Sequence, residues 1–312
     1  MRLKTRRRTS SNHGLQGLSE IKPEYMIIAD LRGGLGNQMF QYAAGRALSL
    51  RLGVTLGLYD HNNKIDSIPN QLGQFNIRVE NIPKSFLPPS RSSNGLLWML
   101  WKLGLTKPKV FRQGGLGYNP KFEEVTDNTY LRGYWQSEKF FVDCKDVIRS
   151  DFEFNSQPEG QNLEILQEIM ETESSISCHV RRGDYLDQKN ISIFSSCSQE
   201  YYEQAVRLIA ERCQITPKVF VFSDDPEWVS NHFKLPFEMR VISHNPVDKA
   251  IEDLRLMTAC KHHVIANSSF SWWGAWLGQN PNKIIVAPAR WFADPKYSNP
   301  DIYCKGWIRL EN

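Results

Sequence analysis

Hydrophobic positions along this chain fall into short, mostly apolar runs of strand length, separated by glycine, proline and polar clusters and by longer stretches of helical spacing. Met26–Leu31 reads as a strand, Arg32–Asn37 as a glycine-rich turn, Gln38–Leu52 as a helix rich in Ala and Leu, and Val54–Tyr59 as a second strand. That strand-turn-helix-strand unit predicts the opening of a parallel sheet. From His61 to Pro120 the pattern breaks into Pro, Asn, Gly and Ser around short apolar islands, of which Leu96–Leu103 predicts a helix. Thr129–Trp135 then reads as a strand and Ser137–Ile148 as a helix.

Asn155–Gln161 resembles a linker, and beyond it the alternation is cleaner. Strands are predicted at Ser175–Val180, Lys218–Ser223, Arg240–Ile242, His263–Ala266 and Lys283–Ala287. Helices are predicted at Asn162–Glu171, at Ser198–Cys213 with Ser198 as cap, after Pro226, at Val247–Cys260 and at Phe270–Leu277. Strands alternating with helices predict a second doubly wound parallel sheet. The expected organisation is a disordered basic tail over 1–24, a first domain over 25–155 and a second over 156–312. The fold class is α/β, with two Rossmann-like domains facing a cleft.

Composition sharpens this picture in three ways. The formal net charge of +4 is concentrated partly in Arg2, Lys4, Arg6, Arg7 and Arg8, so the body is near neutral and no case for nucleic acid arises. The six cysteines include no Cys-x-x-Cys pair, which argues against a zinc knuckle or a redox motif. The basic tail leads into polar residues rather than an apolar run, and Leu96–Leu105 is shorter than the roughly 20 residues a membrane span needs. These features predict a soluble, reduced, cytoplasmic protein, with the tail or Leu96–Leu103 as the candidate peripheral contact with anionic lipid.

Candidate chemistry sits at strand ends. Val180 is followed by Arg181-Arg182-Gly183-Asp184-Tyr185, two planar cations that suit phosphate oxygens, a turn glycine and a carboxylate. Gly33-Gly34-Leu35-Gly36-Asn37-Gln38 lies between strand and helix, where backbone N–H groups can face an anion. Its spacing is not that of the dinucleotide fingerprint, which argues against a nicotinamide-dependent oxidoreductase. Asp224 and Asp225 end another strand, to contact guanine or to cap the helix after Pro226. Asn267-Ser268-Ser269-Phe270 supplies hydroxyls, an amide and a helix start, a suitable phosphate seat. Tyr130-Leu-Arg-Gly-Tyr-Trp-Gln-Ser-Glu-Lys-Phe-Phe141 mixes rings with Arg132 and Gln136, fitting either a sugar-lined wall or a core.

Four of these blocks resemble glycosyltransferase family 11, the α-1,2-fucosyltransferases. The run His179-Val-Arg-Arg-Gly-Asp-Tyr185 is similar to that family's signature, with relatives in α-1,6- and protein O-fucosyltransferases. Leu31-Arg-Gly-Gly-Leu-Gly-Asn-Gln-Met-Phe-Gln-Tyr-Ala-Ala-Gly, the Tyr130 block and Asn267-Ser-Ser-Phe-Ser-Trp-Trp273 follow the family's order. The chain departs from the pattern where Phe194-Ser195-Ser196, rather than a His-Gly pair, precedes Cys197-Ser198-Gln199-Glu200-Tyr201-Tyr202.

The resemblance implies a GT-B-like fold, an acceptor-side first domain and a GDP-sugar-binding second domain. It implies inverting transfer of L-fucose from GDP-L-fucose to the 2-hydroxyl of a terminal galactoside in glycan or O-antigen synthesis. With Arg181 and Arg182 available to neutralise the diphosphate, no metal or other cofactor is expected. Arg181, Asp184 and Asn37 are the implied catalytic residues, Asp187 being the other candidate for a base. Gly33, Gly34, Gly36, His179, Arg181, Arg182, Asp224, Asp225, Asn267, Ser268, Ser269 and Phe270 are implied to hold the donor. The alternatives are the same fold with another GDP-sugar, or a non-catalytic nucleotide- or nucleic-acid-binding protein.

Overall fold

The computed structural model describes residues 22–60, 69–87, 89, 91–106, 108–182 and 196–312. The predicted tail lies outside them up to residue 21. The first half opens with β1 (Lys22–Leu31), α1 (Leu35–Leu52) and β2 (Val54–Asp60), and continues through α2 (Gly95–Lys102), β3 (Lys109–Arg112) and β4 (Thr129–Arg132). These strands form one wholly parallel sheet in the order β2-β1-β4-β3. The predicted helix over Ser137–Ile148 is instead two 3₁₀ turns, Glu138–Phe140 and Val142–Cys144, leading into α3 (Lys145–Asp151). Phe141 leaves helical geometry at φ −145°, ψ 11°, so that Phe140 packs on Trp135 while Phe141 stacks on Trp273.

The second half comprises α4 (Gly160–Glu171), β5 (Ser175–Val180), α5 (Gln199–Cys213), β6 (Lys218–Ser223), α6 (Pro226–His232), β7 (Glu238–Ile242), α7 (Ala250–Ala259), β8 (His262–Val264), α8 (Ser269–Leu277), β9 (Ile285–Pro288) and β10 (Ile308–Leu310). Its six parallel strands run β10-β9-β8-β5-β6-β7. Read from the β7 edge and numbered from β5, that is third, second, first, fourth, fifth, sixth, the order that leaves a topological switch point between the first and fourth strands. Ser198 caps α5, its hydroxyl accepting from the Tyr201 amide at 3.1 Å. The strands β3 and β10 are edges that the sequence pattern does not predict.

Both halves contribute to one core. Phe40 of α1 lies 4.5 Å and 4.9 Å, ring to ring, from Trp272 and Trp273 of α8. The Trp273 indole donates to the Gly36 carbonyl at 3.0 Å, and the Trp276 indole to Glu138 at 2.8 Å. Tryptophans of α8 thus join the sheets rather than line a sugar site, and Trp135, Phe140 and Phe141 of the Tyr130 block are likewise buried. All six cysteines are free thiols. Among the described residues no helix is long and apolar enough to cross a membrane.

Candidate active site

The two sheets bring the carboxyl ends of their strands together. β1 is followed by Arg32-Gly33-Gly34, and α1 begins at Leu35, inside the glycine motif and three residues earlier than the periodicity predicts. Gly33 adopts φ +73°, a left-handed turn that an L side chain resists. Buried Gln38 fixes the turn, donating to the carbonyls of Gly33 and Pro69 and accepting from the Gln71 amide. Asn37, half-buried, accepts from Gln136 at 2.7 Å, so the turn is tied to the segment following β4.

On the opposite side, Ser268 caps α8, accepting from the Phe270 amide at 3.3 Å. Gly36 packs directly onto that helix start: a Cβ on it would lie 2.5 Å from both the Phe270 nitrogen and the Ser269 carbonyl carbon. The N-termini of α1 and α8 therefore converge. Each helix start carries about half a positive charge, and two such ends facing one another favour an anion between them.

Arg181 follows β5 at the switch point. Its Nε pairs with the Asp224 carboxylate at 3.3 Å, while the Arg182 amide donates to the other Asp224 oxygen at 2.9 Å. The Arg182 guanidinium lies 3.4 Å from the centre of the Trp228 ring, with Asp225 3.7 Å from its Nε. Asp225 accepts from the Trp228 amide at 3.1 Å, capping α6. Of the two readings for the acidic pair, the structure thus engages Asp225 as a cap, and Asp224 orients the arginines. A small pocket opens beside them, lined by Val180, Cys197, Tyr202, Trp228 and Phe233.

His179 is buried, its ring 5.8 Å from that of Phe270. Burial and, secondarily, the Arg181 charge depress its pKa to about 3, so it is neutral at working pH, and its Nδ1 has no hydrogen-bond partner among the described residues. The sequence runs on β5, the glycine turn and the start of α8 are therefore linked through His179, Phe270 and Gly36. Asn267 is 1% exposed and donates its amide to the Trp291 carbonyl at 2.9 Å, which holds the loop after β8. Gly183, Asp184 and Asp187 lie outside the described residues. Trp228, which carries Arg182, and Gln136, which carries Asn37, act here without a signature that marked those roles; Gln136 was legible only as a polar residue among rings.

Three comparisons bear on this arrangement. The family model for glycosyl transferase family 11 matches residues 120–311. An α-1,2-colitosyltransferase of Escherichia coli is 32% identical over 298 residues, 92% of this chain and 99% of that protein. The O-antigen biosynthesis glycosyltransferase WbnK of Escherichia coli is 31% identical over 304 residues, 90% of this chain and 99% of that protein. Among solved structures, the NodZ α-1,6-fucosyltransferase soaked with GDP-fucose aligns with 85% of this chain and 95% of its own at a TM-score of 0.49 and 17% identity.

Proposed function

The chain belongs to glycosyltransferase family 11, and from that premise we propose that it transfers L-fucose from GDP-L-fucose to the 2-hydroxyl of a terminal galactoside, with inversion. The observation that supports the donor side is the meeting of the α1 and α8 starts at Gly36 and Phe270, with the His179 ring, two residues before Arg181, 5.8 Å from that of Phe270. Breaking the bond between fucose and GDP leaves negative charge on the β-phosphate while the sugar ring gains oxocarbenium character. A guanidinium and backbone N–H groups fixed before the reaction stabilise that charge without reorganising, an effect worth several kcal/mol. Arg181 acts on the β-phosphate. Arg182, held on Trp228, keeps the donor in place, and Ser268, Ser269 and Asn37 complete the seat. A carboxylate that takes the acceptor proton, Asp184 or Asp187, rests on the sequence alone.

No metal enters this scheme, because Asp224 and Asp225 are committed to the arginines and to the α6 cap. A second reading, donation from GDP-colitose, is favoured by the colitosyltransferase relative. Colitose is fucose without its 3-hydroxyl, so the two readings differ by one hydrogen-bonding group on the donor. A panel of GDP-fucose, GDP-colitose, GDP-mannose and UDP-galactose with lactose, scored by product linkage, decides between them. Efficient transfer from UDP-galactose alone would overturn both.

The name of the second relative also motivates an O-antigen-type acceptor and work at a membrane face. Support comes from α2, where Leu96 is 65% and Met99 48% exposed, followed by Leu103 at 66% and Leu105 at 69%. Residues 81–122 contain no Asp or Glu but seven Lys or Arg. An apolar helix in a wholly basic surround suits the interface of an anionic bilayer.

A further inference from the structure

Resting on that reading, we infer a second anion site, formed by Arg32, Arg112 and Arg132, that seats a phosphate or carboxylate carried by the acceptor. The three arginines stand at the carboxyl ends of β1, β3 and β4, which are neighbours in the first sheet. This is the edge that leads into the glycine turn and hence into the cleft. Their side chains share the sheet face of Asp30, Tyr130 and Val110, the face that α2 covers, since they are spaced by two along each strand.

Charge counting argues against a purely structural role. Asp30, 1% exposed, pairs with Arg32 Nε at 2.8 Å and with Arg132 Nε at 3.7 Å through the same oxygen. Arg112 lies directly opposite Arg132 in the ladder and is exposed. Among the described residues Asp30 is the one carboxylate paired with any of the three, so three fixed cations answer to one anion. Like charges facing each other across strands are destabilising. Burial first, and then the charges of Arg32 and Arg112, press the Arg132 guanidinium below its ordinary pKa.

The frame holding the arginines is rigid. Gln41, fully buried, accepts from the Arg32 amide at 2.8 Å and donates to the carbonyls of Arg32 and Gly133 at 3.3 Å. Gln113, 4% exposed, accepts from the amides of Tyr134 and Trp135 at 3.0 and 2.9 Å. Two buried amides thus stitch together the three strand ends that carry the cations. Guanidinium forks carried on strand ends held in this way can bind oxyanions two oxygens at a time. An anion placed there would extend the acceptor from the cleft towards the α2 face, whichever end of the glycan carries it.

The test measures binding to the GDP-saturated protein, so that the donor's own phosphate seat is filled. Three probes share one galactosyl disaccharide: a neutral octyl glycoside, a phenoxyundecyl diphosphate conjugate, and a trisaccharide extended by glucuronic acid. The wild type should bind one of the two anionic probes at least tenfold more tightly than the neutral one, as charge-assisted hydrogen bonds predict. A preferred diphosphate probe places the anion at the reducing end; a preferred glucuronate probe places it in the glycan. Arg112→Ala, and Arg132→Gln with Asp30–Arg32 intact, should each shrink that preference, with folding checked by circular dichroism. Equal wild-type affinity for all three probes, or a preference that survives both substitutions together, would overturn the site. If the anionic preference stands but no GDP-sugar yields product on any probe, the transferase reading fails and this one does not.

Discussion

Gly36 and Phe270 meet so closely that a β-carbon on the glycine would sit 2.5 Å from the Phe270 backbone nitrogen. The contact joins the first turns of α1 and α8, from opposite halves of the chain, and sets where their positive ends point. Within a helix, alanine is worth about 1 kcal/mol more than glycine. Here the clash dominates, because the atoms in the way are backbone and cannot rotate aside.

Gly36→Ala should therefore lower the melting temperature and weaken GDP binding by about tenfold or more, through displacement of the α8 start. Gly34→Ala is the thermal control, since nothing lies within 4 Å of its added carbon. A Gly36→Ala protein that melts and binds GDP like wild type would show that the joint yields without consequence.

Metal removal is expected to matter little. Transfer measured in excess EDTA should stay within about threefold of the untreated rate, because Arg181 and the helix starts take the role of a cation. Loss of activity restored by Mg²⁺ or Mn²⁺ would contradict this and point to Asp224 and Asp225 as ligands.

Acid should destabilise the fold through two buried imidazoles. Burial, reinforced by Arg181 and Lys283 respectively, depresses the pKa values of His179 and His263 to about 3. Below about pH 6.5 the unfolded chain binds protons that these folded groups refuse. Stability is thus fully present above that pH and falls as pH drops towards 3, by up to about 1.4 kcal/mol per pH unit per group. Urea unfolding at pH 7, 6 and 5 should show a shallower slope for His263→Gln than for wild type. Parallel slopes would contradict the assignment.

Membrane contact is tested by flotation with vesicles. Binding to phosphatidylglycerol vesicles, weak binding to neutral ones, and its loss in Leu96→Asp/Leu103→Asp are the expected results. Equal recovery with both lipids, or none with either, would remove this part of the account.

Much of this was legible in the sequence because period and punctuation agreed. The strand at Ser175–Val180 is uniformly buried, and the run ends abruptly at Arg181, so its position in a parallel sheet and its chemistry could be read together. Ser198 announced its helix as a cap. What escaped notice depended on partners distant in sequence. β3 and β10 are four- and three-residue edge strands without a buried run. The break in Ser137–Ile148 arises because Phe140 and Phe141 answer to different core neighbours. The bond from the Asn267 amide to the Trp291 carbonyl is likewise invisible in the local sequence. No local pattern reveals that Arg182 rests on Trp228, or that Arg112 and Arg132 face each other.

The central claim is that Arg181, aligned by Asp224, stabilises the departing β-phosphate mainly in the transition state. Arg181→Ala should then lower kcat by about 10²-fold or more while changing GDP affinity far less. Arg181→Lys should recover little, since a point charge cannot reproduce the planar fork. Arg182→Ala should chiefly raise the donor KM. The decisive measurement is kcat for transfer alongside the GDP dissociation constant for a folded Arg181→Ala enzyme, with folding shown by circular dichroism. A large fall in kcat with near-normal GDP binding is the result predicted, and retention of more than about a tenth of wild-type kcat would contradict it.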